Sequence, residues 1–342
     1  MLSFKDYSLL HSNTFGIDQK CKEYIVYDGE EDAIDIARKI SHLSCPYLLL
    51  GGGSNLLLTK DFNGCVITPA KRFDISVILQ NGSNEPILRC WAGTTFDDVV
   101  AYAVRHGYYG IENLSLIPGE CGASAVQNIG AYGAEIKDVM AKIEAVDITS
   151  GERVCIDPKD CQYSYRDSRF KHEWKDKYII TYVSYQLSRT FKPELDYGNV
   201  RKQLLANGIN EGKITAQQLR DTIIDIRQSK LPDPSETGNA GSFFMNPIVD
   251  LKTFERLKAE HPNLRYYEVA GNKYKIPAGW MIDQCGWKGK SLGRAGVHDK
   301  QALILVNRGG ASGQEIVSLM RAIQADVKQK FGLDLQPEVN VI

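Results

Sequence analysis

The 342-residue chain is 43% hydrophobic and 24% charged, with 41 Lys and Arg against 42 Asp and Glu for a net charge of −1. Its length implies two or three domains, because single hydrophobic cores stop growing below this size. The even charge excludes the basic excess that marks a nucleic-acid or anionic-membrane surface, so neither partner is expected.

In chain order, residues 31–43 (EDAIDIARKISHL) carry apolar groups at helical spacing behind an acidic first turn, which predicts a helix. Pro46 and two short apolar runs flank Gly51-Gly52-Gly53-Ser54-Asn55, which reads as a strand–turn–strand loop. Thr95 opens a helix through Arg105, with Asp97 and Asp98 placed to suit its dipole. The stretch from Gly110 to Gly133 is patterned for neither regular element and reads as a long functional loop. Residues 141–187 read as β-rich, and the polar segment 206–213 reads as a domain boundary. Thr215 caps a helix that ends before Pro232. Ser312 and Glu315 form a capping box for a helix of about eighteen residues, stopped at Gly332, and the tail DLQPEVNVI reads as a final strand.

The eight cysteines include no C-x-x-C pair and are read as buried or half-buried free thiols in a reducing cytosol. The six histidines form no H-E-x-x-H, so no metal site is expected. Lys5 and Asp6 interrupt the N-terminus where a signal peptide needs an apolar run, and no segment approaches a membrane span. A cytoplasmic monomer is expected.

Four motifs can carry chemistry. Consecutive glycines at 51–53 let several N–H groups point into one concavity, a nest that suits a diphosphate, although a tight hairpin is the plainer reading. No Lys-Ser/Thr pair follows, so it is not a P-loop. Ile117–Gly133 (IPGECGASAVQNIGAYG) places Gln127 and Asn128 among small residues, where amides can serve both edges of a heterocycle. In Tyr163–Ser168 (YSYRDS), an Arg next to an Asp is more often a structural ion pair than a catalytic group. In Gly238–Pro247 (GNAGSFFMNP), two aromatics beside Ser242 could hold a lone hydroxyl in a dry site. With no G-x-S-x-G and no His nearby, a serine nucleophile is disfavoured.

LLGGGSNLLL, IPGECGASAVQNIGAYG, YRDSRFK, GNAGSFFMNP, AGWMIDQCG and QPEV, in this order, resemble the UDP-N-acetylenolpyruvoylglucosamine reductases over nearly the whole chain, beginning at Asn13–Ile17. The resemblance implies an α+β fold: a two-part FAD-binding region of the vanillyl-alcohol-oxidase-like (PCMH) type over 1–205, divided at about 68/69. A separate α+β substrate-binding domain would span 214–330, and 331–342 would form a strand returning to the active site. It implies non-covalent FAD, NADPH as electron donor and UDP-N-acetylglucosamine enolpyruvate as substrate.

By the same resemblance, Gly51, Gly52, Gly53, Ser54 and Asn55 would cradle FAD together with Ile117, Pro118, Gly119, Gly122, Ala123, Ser124, Gln127, Asn128, Gly130, Ala131, Tyr132 and Gly133. Arg166 would hold the developing enolate, Ser242 would donate the proton, and Glu338 would orient the intermediate. The family has E-P-E where this chain has Gln336-Pro337-Glu338, which leaves only the second carboxylate. Arg227, Lys230, Asn246, Lys288 and Gln301 match positions facing the nucleotide-sugar. Tyr197 matches a tyrosine on a closing loop, and Tyr267 one near the sugar, with Tyr266 alongside as an alternative register. Solvated surface charge is the plain reading of the lysines. The rivals are an oxygen-using flavin oxidase, a nucleotide-sugar sensor on a degenerate scaffold, and a Rossmann dehydrogenase, the last weakened by the missing strand–G-x-G-x-x-G–helix fingerprint.

Overall fold

The computed structural model describes residues 1–40, 45–79 and 85–342. The chain forms two compact units. The first comprises Met1–Tyr7, Cys21–Gly52 and Phe62–Ser229; the second comprises Ser8–Lys20, Gly53–Asp61 and Lys230–Ile342.

The first unit contains two sheets. In one, strand Phe62–Pro69 lies between Lys20–Tyr27 and Tyr47–Leu49, parallel to both, with Leu2–Ser8 at the edge. Phe62–Pro69 is buried from Gly64 onward, as expected of an inner parallel strand covered on both faces. Helix Glu30–Ile40 covers this sheet with Ala33, Ile34, Ala37 and Ile40, where its apolar spacing predicts, and with Ile36 besides; residues 41–43 of the expected helix lie outside the described residues. The other sheet is antiparallel, in the order Arg153–Ile156, Met140–Asp147, Tyr178–Gln186, Pro86–Trp91, Ile75–Leu79. Helices Phe96–Arg105 and Cys121–Gln127 contribute Phe96, Val99, Val100, Ala103, Cys121 and Ala125 to the core that includes its strands.

The helix Cys121–Gln127 lies inside the segment read as a continuous loop. Its residues are nearly all small, so no apolar periodicity marks it. Smallness is what its packing uses: a Cβ on Gly122 would sit 3.0 Å from that of Ala92, and the Ser124 hydroxyl meets the Tyr185 hydroxyl at 2.8 Å.

The boundary expected at 206–213 falls later. Helices Val200–Ala206 and Ala216–Lys230 share one apolar cluster, in which Leu204 and Val200 meet Leu219, Ile223 and Ile226. The polar segment between them is a connection inside the first unit, and the division comes after Ser229. Thr215 accepts from the Gln218 N–H at 3.2 Å while Gln218 accepts from the Thr215 N–H at 2.9 Å, a complete cap.

In the second unit, strands Asn239–Ser242, Ile304–Asn307, Ala295–Val297 and Ser291–Leu292 form an antiparallel sheet. Helix Gly313–Phe331 begins at the capping box of Ser312 and Glu315 and ends at Gly332 in the left-handed conformation. A smaller sheet orders Ile248–Asp250, Lys273–Lys275 and Tyr267–Val269. Strand Asn340–Val341 pairs in parallel with Leu56–Leu57. The glycine run at 51–53 is therefore not a hairpin turn: Tyr47–Leu49 pairs with Phe62–Pro69, and Leu56–Leu57 with the C-terminal strand.

Candidate functional site

In the first unit, Gly51 and Gly52 lie against the start of helix Cys121–Gln127. A Cβ on Gly51 would stand 3.3 Å from that of Ala123, and one on Gly52 would strike the Glu120 carboxylate at 2.6 Å. A side chain at either position would have to push this carboxylate aside. The Gly52 N–H donates to that carboxylate, which is 8% exposed; burial raises the Glu120 pKa. Sequence reasoning missed Glu120, although an acid between Gly119 and Gly122 was a visible signal.

The helix ends at Asn128, in left-handed backbone. Its side chain donates to the Ser164 carbonyl at 2.7 Å and accepts from the Lys137 N–H at 3.2 Å. The Ser168 hydroxyl donates to the Val126 carbonyl at 2.7 Å. The Gln-Asn and Tyr-Arg-Asp-Ser motifs are thus one structural unit. Arg166 donates to the carbonyls of Gly130 and Asn128, and a Cβ on Gly130 would stand 2.8 Å from its guanidinium. Asp167 pairs with His172 at 2.8 Å. Of the eight described non-glycine residues with positive φ, Asn128, Tyr132 and Arg166 belong to these two motifs, and Leu116 directly precedes the first. Backbone strain concentrates where a site must be held in one shape.

Ile117, Pro118 and Gly119 lead into the helix, and Gly130 and Ala131 form a short strand that turns through Tyr132 and Gly133 to Ala134–Glu135. The turn receives the segment bearing Tyr197: a Cβ on Gly133 would lie 3.3 Å from atoms of Glu194 and Tyr197. Buried Asn113 donates to the carbonyls of Tyr132 at 2.7 Å and Glu194 at 2.9 Å, tying the two segments together.

Tyr132 also hydrogen-bonds Arg227, whose Nε is sealed from solvent with no partner among the described residues. Desolvation lowers the Arg227 pKa despite that bond. About two turns earlier on the same helix, Arg220 grips Asp97 through two bonds of 2.6 and 2.8 Å, and Asp97 also accepts from the Leu116 N–H. Its position at a helix start predicts a dipole acid for Asp97; the tertiary structure makes it the tie between two helices and the glycine-rich segment.

In the second unit, Asn55 donates to the Glu338 carbonyl at 3.1 Å, and the Glu338 N–H donates to the Phe243 carbonyl at 2.8 Å. Ser242 and Glu338 are thereby brought onto neighbouring backbone, with Glu338 half-buried and Ser242 exposed. The dry enclosure expected around Ser242 is not there within this unit. Phe243 and Phe244 turn into the core, at 0% and 1% exposure, because the apolar rings gain more by burial there than beside a hydroxyl. Ser54 lies beside Asn55 in the loop.

Asn246 accepts from the Ala278 N–H at 2.9 Å, at the start of helix Ala278–Gln284, and Gln301 lies beside the same helix start at Gly279. Lys288 is exposed and bonded to Asp283 at 3.1 Å, and Lys230 is exposed. Tyr267 is 45% exposed, whereas Tyr266 packs on Phe254 with ring centroids 4.6 Å apart.

A groove of about 1030 Å³ on the five-stranded sheet, lined by Arg89, Lys142, Glu144 and Tyr163, touches neither glycine-rich loop. Glu144 pairs with both Arg89 and Lys142 there. No cluster of potential metal ligands and no helix long and apolar enough to cross a membrane occurs among the described residues. All eight cysteines are free, and Cys155 is exposed, contrary to the expectation of burial.

Residues 23–157 match the family model of an FAD binding domain, and 233–342 match that of the C-terminal domain of UDP-N-acetylenolpyruvoylglucosamine reductase. A UDP-N-acetylenolpyruvoylglucosamine reductase of Bacteroides fragilis (strain YCH46) is 49% identical over 98% of this chain and 99% of its own. One of Paraburkholderia xenovorans is 42% identical over 97% and 95%. The crystal structure of the Thermus caldophilus reductase, at 22% identity, covers 99% of this chain and 98% of its own with a TM-score of 0.67, a likeness of fold. Identity at this level along nearly the full length of both chains means that this protein belongs to the UDP-N-acetylenolpyruvoylglucosamine reductase family.

Proposed function

We propose that this chain reduces UDP-N-acetylglucosamine enolpyruvate to UDP-N-acetylmuramate with NADPH, through FAD, in peptidoglycan precursor synthesis. The near-full-length identity to the Bacteroides fragilis reductase carries the reading.

The residues present fit FAD. Gly51 and Gly52 present backbone without side chains beside a helix of small residues, where a ligand can approach closely. Ser54 and Asn55 supply further polar groups, and the left-handed backbone at Asn128 and Tyr132 suits a loop shaped for a flat ring. Neither loop contains His, and Cys121 is fully buried, which supports a non-covalent cofactor. When bound, FAD would supply the redox chemistry, hydride transfer from NADPH to the enolpyruvyl group.

The chain's own residues then manage charge and proton. Carbanion character develops beside the substrate carboxylate, and Arg166, fixed on the carbonyls of Asn128 and Gly130, holds that charge. Ser242 gives its hydroxyl proton to the adjacent carbon, and Glu338 orients the intermediate. Arg227, with an unpartnered Nε, and Lys230, Asn246, Tyr267, Lys288 and Gln301 receive the nucleotide-sugar, while Tyr197 closes over it.

The enzyme works as a cytoplasmic monomer, for which light scattering should give a mass near 38.2 kDa. The test of function is NADPH oxidation by the purified yellow protein with and without the enolpyruvyl sugar. Sugar-dependent oxidation yielding UDP-N-acetylmuramate is expected. Oxygen consumption indifferent to the sugar would replace the reading with that of an oxidase.

A further inference from the structure

Glu120 places a buried carboxyl on the amide of Gly52, in the loop proposed to receive the diphosphate. It is the N-cap residue of helix Cys121–Gln127, where a carboxylate ordinarily accepts an N–H of its own helix. Here the side chain makes no such bond and reaches the Gly52 N–H. Cβ atoms on Gly51 and Gly52 would both come within 2.9 Å of its carboxylate oxygens, so the carboxylate lies directly against the bare backbone of the glycine pair. One N–H cannot serve the carboxylate and a phosphate equally, and two anions sharing one low-dielectric site repel.

We infer that Glu120 is an internal competitor for the FAD diphosphate, holding the Gly52 amide and lowering the affinity of this chain for its cofactor. The inference rests on the reading that the Gly51–Asn55 loop receives the diphosphate. Competition of this kind depends on the charge of the carboxylate. Burial raises its pKa, which the Gly52 N–H and the field of Lys71 partly offset; the Tyr27 phenol is the other titratable group that feels it. Protonation cancels the repulsion. FAD affinity therefore weakens as pH rises through the Glu120 pKa and levels off once the carboxylate is fully charged.

The test is release of flavin from the purified holoenzyme on dilution, followed by flavin fluorescence across pH, for the wild-type protein and Glu120→Gln. Glu120→Gln should hold FAD at least about tenfold more tightly at the alkaline end, the scale of one like-charge contact in a partly solvated site, and should lose the pH dependence. Glu120→Ser, checked for folding by circular dichroism, should shift affinity in the same direction. Equal or faster FAD loss from both variants would overturn the inference and make the carboxylate a contributor to FAD binding. Riboflavin, which lacks the diphosphate, separates the two levels of the argument. If it binds wild type as tightly as FAD does, the diphosphate reading falls and the inference with it. If FAD binds far more tightly than riboflavin and the Gln variant changes nothing, only the role of Glu120 falls.

Discussion

The side-chain amide of Asn55 donates to the backbone carbonyl of Glu338 at 3.1 Å, joining the end of the glycine loop to the C-terminal strand across 283 residues. The bond continues a short parallel pairing in which Asn340 and Val341 lie opposite Leu56 and Leu57. Asn55→Ala should cost about 1 kcal/mol, the net worth of an ordinary hydrogen bond. Because the lost bond fixes the residue proposed to orient the intermediate, turnover should fall more than that stability change explains. Denaturant unfolding read beside kcat checks it; a stability loss with unchanged kcat would make Asn55 a structural tie only.

Ser242 separates the two half-reactions. Ser242→Ala should leave reduction of FAD by NADPH nearly intact and slow reoxidation by the enolpyruvyl sugar by at least about 10²-fold, the lower range of general-acid contributions. Arg166→Lys should slow the same step, since an ammonium cannot reproduce a planar two-pronged grip on a carboxylate. Stopped-flow absorbance of the flavin resolves both. Unchanged rates in Ser242→Ala would pass the proton-donor role to Glu338.

Asp97 and Arg220 predict how stability depends on acid. Burial acts to raise the Asp97 pKa, but hydrogen bonds from Arg220 and the Leu116 N–H outweigh it and hold the carboxyl below its ordinary value. A folded-state pKa that is depressed means stability present above the unfolded value, about 3.9 for Asp, and lost as pH falls through the lower folded value. Arg220→Met should cost about 3 kcal/mol near neutrality, because it strands a largely buried carboxylate. That deficit should begin to shrink above about pH 3.9, where the stranded, buried carboxyl of the variant takes up its proton, and should level off only below the depressed folded value of the wild type. Urea unfolding of both proteins across this range is the measurement, and a pH-independent difference would contradict the argument.

Asn113 holds the Tyr197 segment to the glycine-rich turn through two carbonyls. Asn113→Ala leaves both without this donor, at about 2 kcal/mol, and frees residues 194–199. Limited proteolysis should cut there sooner than in wild type, and the KM for the nucleotide-sugar should rise while FAD reduction by NADPH is unchanged. A KM equal to wild type would remove the Tyr197 segment from substrate binding.

What the sequence by itself determined is what a few neighbouring residues decide. Thr215, Ser312, Glu315 and Gly332 end their helices where expected, because caps are bonds made within one turn. The apolar spacing of 33–40 likewise announces a buried helix face. The order of the six motifs identified the family. Tertiary structure alone decided the partners of polar side chains. Asp97 had an adequate local role at a helix start, Glu120 could have capped its own helix, and Asn55 could have bonded within its own loop. Each instead found a partner 68 to 283 residues away. The helix Cys121–Gln127 was hidden for a related reason. Residues too small to create periodicity owe their helix to close packing against Ala92 and Tyr185, which exists only once the sheet beneath them has formed. The physical difference is chain entropy: a cap closes a loop of three residues, whereas a contact across hundreds is made only when the rest of the fold has already brought its ends together.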